Sequence, residues 1–175
     1  GEVKKSSEIG ILPLASSPLR TLPAQLILRL DEQFRTFGVK PLIVLNPHQQ
    51  QTSLLRSALE AVNPNLHFTE DTNSIADLLA LMRRLDYAVF ADSGPAHLSK
   101  LEQGPGAAIC TSAPSELLLG RHRNLFPVQI SYSGDYCSAP CGLAKLRQTL
   151  AGDVGCMASL QTSVEKLPNS ISRAD

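Results

Sequence analysis

The sequence predicts an α/β fold with a mostly parallel sheet between layers of helices, and three observations predict it. Short apolar runs, almost free of internal charge, recur along most of the chain. Amphipathic stretches with apolar residues three and four apart separate them. Gly, Pro or Asn bounds the runs, as turns require. Uncharged runs of this kind suit strands buried on both faces, and parallel strands need crossovers of helical length. The alternation therefore gives an open sheet with right-handed crossovers, a Rossmann-like three-layer sandwich.

The elements follow in order. IGILPL, from Ile9, is the first expected strand. A helix over Pro23 to Phe37 puts Leu26, Leu30, Phe34 and Phe37 on one face. PLIVLN, from Pro41, is the second strand, and Gln50 to Val62 is helical through Leu54, Leu55, Ala58, Leu59 and Val62. LHF, from Leu66, precedes a helix over Ser74 to Leu85 that aligns Ile75, Leu78, Leu79 and Met82. YAVFAD, from Tyr87, leads into a helix with Pro95 at a first position, where a missing amide costs nothing. GAAICT, from Gly106, and PVQIS, from Pro127, complete the strands.

Beyond about Ser131 the rhythm stops. Residues 131–158 form a Gly-, Ser- and Cys-rich excursion with a short helix near Leu143 to Leu150. A last helix starts near Ser159 and ends before Pro168, and residues 168–175 read as a flexible tail. The polar start, residues 1–8, reads as disordered, and Gly1 in place of Met suggests a cut or tagged end with residues missing upstream. One domain over 9–167 remains, with no internal repeat.

A chain of 175 residues can bury a core without disulfides or metal. Lys and Arg together number 16, as do Asp and Glu, so no single-sign field points to nucleic acid. No apolar run reaches the length of a membrane span, and the start lacks the apolar core of a signal peptide. Cys110 ends an apolar run and reads as a buried small hydrophobe. For Cys137, Cys141 and Cys156 three readings stay open: zinc ligands with a fourth partner, a disulfide, or free thiols. The Cys141 to Cys156 spacing fits no common zinc motif, and a reducing cytoplasm favours free thiols. No metal site is expected.

In an open parallel sheet, ligands bind beyond the carboxyl ends of the strands. Three loops there carry suggestive residues. After Asp92, a Ser93-Gly94 turn opens a helix whose free amides and dipole suit a diphosphate, with His97 in the first turn. The plainer alternative is that Asp92 and Ser93 only cap the helix and His97 packs on a neighbouring loop. In LASSPLRTLP, Ser16 and Ser17 offer hydroxyls and amides, and Arg20 offers a charged planar fork. The alternative there is a Ser cap and a solvated Arg. In LNPHQQQ, His48 or Gln49 stands where a ribose hydroxyl is commonly read. GxGxxG, GxxxxGK[ST] and GxSxG are all absent, which argues against a dehydrogenase, a P-loop enzyme and a hydrolase elbow.

Asp92-Ser93-Gly94-Pro95-Ala96-His97, behind a buried strand and ahead of a helix, resembles the signature of glycosyltransferase family nine, the ADP-heptose:lipopolysaccharide heptosyltransferases. IGILPLASSPLRTLP resembles the first loop of that family's C-terminal domain. RHRNLFPV resembles the lead-in to its last strand, and CSAPC with the later Cys156-Met157 resembles its Cys-rich tail. The resemblance implies one half of a GT-B type enzyme, the half that holds the nucleotide sugar. It implies that Ser16, Ser17 and Arg20 contact the diphosphate, that Asn73 lies near the base and Gln49 near the ribose. Asp92, Ser93, Gly94 and His97 would bind the phosphates and the transferred sugar.

The same resemblance implies an inverting transfer of heptose or a related sugar, from ADP-heptose or a similar donor, to a lipopolysaccharide-type or other glycan acceptor. No cofactor or metal is implied. No catalytic residue is expected in this chain, because the family's base lies on an N-terminal domain through which the acceptor binds. A bacterial cytoplasmic location is implied, with peripheral association at the inner face of the inner membrane. SKLEQGPG and CTSAPSE depart from the family's usual continuations and motivate an alternative, a non-catalytic nucleotide-binding or scaffolding module. A third reading is an unrelated doubly wound enzyme.

Overall fold

The computed structural model describes residues 7–133 and 138–141. Six strands form one parallel sheet: β1 (Ile9–Leu12), β2 (Leu42–Val44), β3 (His67–Thr69), β4 (Tyr87–Ala91), β5 (Gly106–Cys110) and β6 (Leu125–Gln129), in the order β3-β2-β1-β4-β5-β6. The helices are α1 (Ala24–Thr36), α2 (Gln51–Val62), α3 (Ile75–Met82), α4 (Gly94–Glu102) and α5 (Ser115–Leu119). This is the expected α/β architecture.

Successive side chains of each strand serve opposite faces, so each strand feeds two cores. Ile11, Ile43, Val89 and Ile109 pack with Leu26, Ile27, Leu30 and Leu59 from α1 and α2. Their neighbours Leu12, Val44, Phe90 and Ala108 pack with Met82 of α3, Ala96 of α4 and Leu119 of α5. Two buried faces leave no room for charge in the strands, which is why those runs lack it.

Local chemistry sets the helix ends. Ser74 and Asp77 form a reciprocal capping box at α3, each side chain taking the other's backbone amide. Gly38, at φ +76°, turns the chain out of α1 through a conformation that side chains disfavour. Gln103 closes α4 in the same left-handed region, at φ 54°.

Some bounds and elements differ from expectation. β1 stops at Leu12 because Pro13 has no amide to donate, and Leu14 and Ala15 continue as buried loop. The third helix ends at Met82 rather than Leu85. β6 starts at Leu125, two residues before Pro127, since Leu125 pairs with Gly106. Pro127 itself lies in this outer strand, beside Ala108. The five-residue α5 was not expected, nor was the antiparallel pair β7 (Tyr132–Ser133) and β8 (Ser138–Ala139) inside the excursion. Glu8, expected to be disordered, is pinned instead: its amide donates to Asp86 Oδ2 at 2.8 Å and its carbonyl accepts from Asp86 N at 2.8 Å. The helices expected near Leu143 and Ser159, Cys137, Cys156 and the tail lie outside the described residues.

β4 and β5 approach closely at Gly106, where an added Cβ would stand 2.3 Å from the Ala88 carbonyl oxygen. Backbone cannot yield as a side-chain tip does. We expect Gly106→Ala to destabilise the fold by about 1–3 kcal/mol, read as a lower urea midpoint at unchanged m-value.

Candidate functional site

A cleft of about 440 Å³ opens beyond the carboxyl ends of β1, β2 and β4. Its position follows from topology: β1 and β4 are neighbours whose following helices pack on opposite faces of the sheet. Such a switch point leaves a crevice in an open sheet. Leu12, Val44 and Leu78 give it an apolar side. Ser16, Arg20, Gln49, Asn73, Gly94 and His97 give it polar groups, and Ser93 joins them.

The structure thus brings seven of the nine expected residues to one cleft and keeps two out of it. Ser17 acts through its backbone. Its carbonyl accepts from the amides of Arg20 at 3.1 Å and Thr21 at 3.0 Å, which closes the turn that carries Arg20. Asp92 is 4% exposed and lies behind the cleft wall. Neither lines the cleft: Ser17 closes the turn that carries Arg20, and Asp92 stands beside the Arg20 guanidinium.

Arg20 is the electrostatic centre. Its Nη2 donates to Ser16 Oγ at 2.6 Å, and its Nη1 stands 3.8 Å from Asp92 Oδ2. The second distance is a charge contact beyond hydrogen-bond length. Accordingly Asp92 Oδ2 and Arg20 Nε find no hydrogen-bond partner among the described residues. A carboxylate this buried is costly without a nearby cation, so Asp92 and Arg20 hold each other in place.

The mouth of α4 is open to a ligand. Ser93 is the N-cap by backbone, at φ −152° and ψ 170°, but its hydroxyl donates backward to the Ala91 carbonyl at 3.1 Å. No side chain caps the helix, so the simple cap reading does not describe it. Pro95 is its second residue, and nothing lies within 4 Å of a Cβ placed on Gly94. The Gly94 amide and the positive end of the helix dipole are left for an anion.

Across the cleft, the LNPHQQQ loop is ordered by its own polar groups. His48 N donates to Asn46 Oδ1 at 2.9 Å, and Gln49 N to Asn46 O at 3.2 Å. Gln49 Oε1 is buried with no partner among the described residues. His48 also lines the cleft, as do Thr72 and Asn46, which sequence reasoning passed over.

His97 is exposed, and its ring meets that of His122 with centroids 5.6 Å apart. His122 was not foreseen; it follows α5, an element too short to be read. Burial pushes the His122 imidazole below its usual range, and the charges of His97 and Lys100 add to this. Cys110 is fully buried, and burial with the nearby Asp92 charge pushes its thiol up to about 12. Cys141 is exposed with a free thiol. Among the described residues no group of His, Cys, Asp or Glu could hold a metal ion, and no helix is long and apolar enough to cross a membrane.

No protein-family model matches the sequence, and no curated protein matches it. Solved structures do match in shape. A glycosyl transferase family 9 structure from Veillonella parvula gives a TM-score of 0.62 at 16% identity, covering 73% of this chain and 36% of that one. The E. coli heptosyltransferase WaaC with ADP gives 0.61 at 12% identity, over 73% of this chain and 39% of that one. The E. coli ADP-heptose lps heptosyltransferase II gives 0.60 at 14% identity, over 93% and 49%. The chain shares the fold of these glycosyltransferases. It spans between about a third and a half of their lengths.

One buried contact ties the first loop of the domain to the end of β5. Thr111, just past β5, donates its hydroxyl to the Leu19 carbonyl at 2.9 Å. Thr111→Val keeps the shape and leaves that carbonyl unpaired. We expect a loss of about 1–3 kcal/mol in chemical denaturation, with faster hydrogen exchange concentrated at residues 16–21. Equal exchange in the two proteins would show that Thr111 does not hold the loop.

Proposed function

We propose that this chain is the donor-binding domain of an inverting glycosyltransferase that moves a sugar from a nucleoside diphosphate to a glycan acceptor. The observation that carries the reading is a cleft at the strand switch whose polar atoms are uncommitted. Arg20 Nε and Gln49 Oε1 have no partner among the described residues, and no side chain caps α4. At about 440 Å³ the cleft is of ligand size.

The diphosphate lies over the Gly94 amide at the mouth of α4, with Arg20 bridging its oxygens. Ser16, which already accepts from Arg20, fixes the guanidinium on one side and Asp92 draws it down on the other. The nucleoside extends over Leu12, Val44 and Leu78 toward Gln49 and Asn73. His97, in the first turn of α4, stands beside the diphosphate where it joins the sugar. As the bond to the anomeric carbon breaks, negative charge grows on the departing diphosphate. Fixed amide dipoles and a fixed guanidinium meet that charge without having to reorganise, so the domain supplies electrostatic stabilisation. The acceptor hydroxyl and the base that deprotonates it come from a second domain facing the cleft. By likeness to the heptosyltransferases, the sugar is heptose or a relative and the acceptor a lipopolysaccharide-type glycan at the cytoplasmic face of the inner membrane.

Calorimetric titration with ADP, UDP and GDP tests the reading. One nucleotide is expected to bind selectively, and Arg20→Ala to weaken it roughly 10- to 100-fold, the equivalent of a lost charge-assisted hydrogen bond. Wild-type affinity in Arg20→Ala would remove the site assignment. Because Arg20→Ala also strands Asp92, Arg20→Lys is the companion variant: it keeps the charge and should lose part of the affinity, since an ammonium cannot grip two oxygens in one plane.

A further inference from the structure

His122 lies outside the cleft lining, yet its ring touches the one histidine ring that crosses from α4 into it. The two centroids are 5.6 Å apart and the planes are tilted by 53°. Separate elements fix the two rings. His97 N donates to Ser93 O at 3.3 Å in the first turn of α4, and His122 N donates to Leu119 O at 2.8 Å in the turn that closes α5. The contact therefore depends on tertiary packing and not on a shared segment.

The two rings differ in surroundings. His97 is exposed, whereas His122 is half-buried and its Nδ1 has no hydrogen-bond partner among the described residues. Burial is the main reason that His122 resists protonation, followed by the charges of His97 and Lys100, both on α4. Two imidazoles this close do not both become cations cheaply. Burial favours the neutral form of the half-buried His122 ring. An anion at the mouth of α4 then finds an exposed imidazole that can take a proton from solvent beside a ring that will not compete for it.

We infer that His122 is a positioning residue that props the His97 imidazole at the phosphate end of the cleft and leaves His97 as the ring that is protonated when a phosphate anion binds. The inference rests on reading the cleft as a nucleotide site. It adds a residue to which the sequence analysis gave no role, and a pH dependence that the nucleotide reading alone does not require. No covalent step is involved; one proton moves from solvent to His97 on binding and returns on release.

The test uses the full chain, with ADP and inorganic pyrophosphate as probes. In wild type, ADP should shift the titration of the His97 ring resonances to higher pH and leave those of His122 nearly in place. Calorimetric affinity should rise about tenfold as pH falls from about 8 to about 6, the equivalent of one unit of differential protonation. His122→Gln should flatten that rise. His122→Phe, a neutral ring of similar reach, should preserve it. A purely structural His122 would lower the melting temperature in both variants and leave the pH profile alone. The inference is overturned if His122→Gln keeps the wild-type profile, or if ADP moves the His122 resonances and not those of His97. Should His122→Gln fail to fold, the wild-type spectra decide by themselves. Wild type that binds neither probe would remove the nucleotide reading and this inference with it. Binding that is lost in Arg20→Ala but unchanged in His122→Gln overturns this inference alone.

Discussion

Strands β1 and β4 lie side by side, from Ile9 beside Tyr87 to Leu12 beside Phe90, although two helix–strand units separate them in the chain. Crossovers between parallel strands are right-handed, so the path from β1 to β2 covers one face and the path from β4 to β5 covers the other. The loops that leave β1 and β4 must diverge. Neither can fill the space above the strands, and a crevice results whatever residues line it. Everything functional here depends on that divergence: it aims Arg20 and the mouth of α4 at the same volume from opposite sides.

The crevice would be of little use if its walls were soft. The first loop is held like core. Leu14, Ala15, Leu19 and Leu22 are buried, and Leu22 N donates to Pro13 O at 2.9 Å. Thr21 accepts from Ala15 N at 3.1 Å and donates to Gln51 of α2 at 2.9 Å. Beyond it, Thr111 anchors Leu19, and Gln129 Nε2 donates to the Thr111 carbonyl at 3.0 Å, which couples the loop to the ends of β5 and β6. Arg20 is thus presented from a braced frame. A ligand meeting it finds the charge already in place, which is the condition under which a fixed dipole or cation is most effective.

Much of this was legible in the sequence, for reasons that particular residues show. YAVFA and GAAIC read as strands because burial on both faces excludes charge, and Leu26, Leu30 and Phe34 read as a helix because one face packs on the sheet. The mouth of α4 was legible because Asp92 through His97 are contiguous. What escaped was short or non-local. α5 has one buried residue, Leu119, too few for a period to show. β7 and β8 offer two residues each, too few for an apolar pattern to mark. Asp92 reads as a phosphate contact in one dimension, whereas the fold buries it beside Arg20. His122 reads only as part of RHRNLFPV, a lead-in to a strand, because its ring contact is set by the packing of α5 and α4.

Pro127 has a consequence at the other side of the sheet. β6 is the outermost strand of the described sheet, paired on one side with β5. A proline there presents no amide to an incoming chain, and its ring obstructs close approach. Open sheet edges invite unwanted pairing between copies, and a break in the donor row is one means of preventing it. The half-buried flank of β6, where Phe126 is exposed, is thereby poorly suited to recruiting another strand. Among the described strands that leaves β3 as the edge on which a further strand could add, so the sheet has one closed end and one open one.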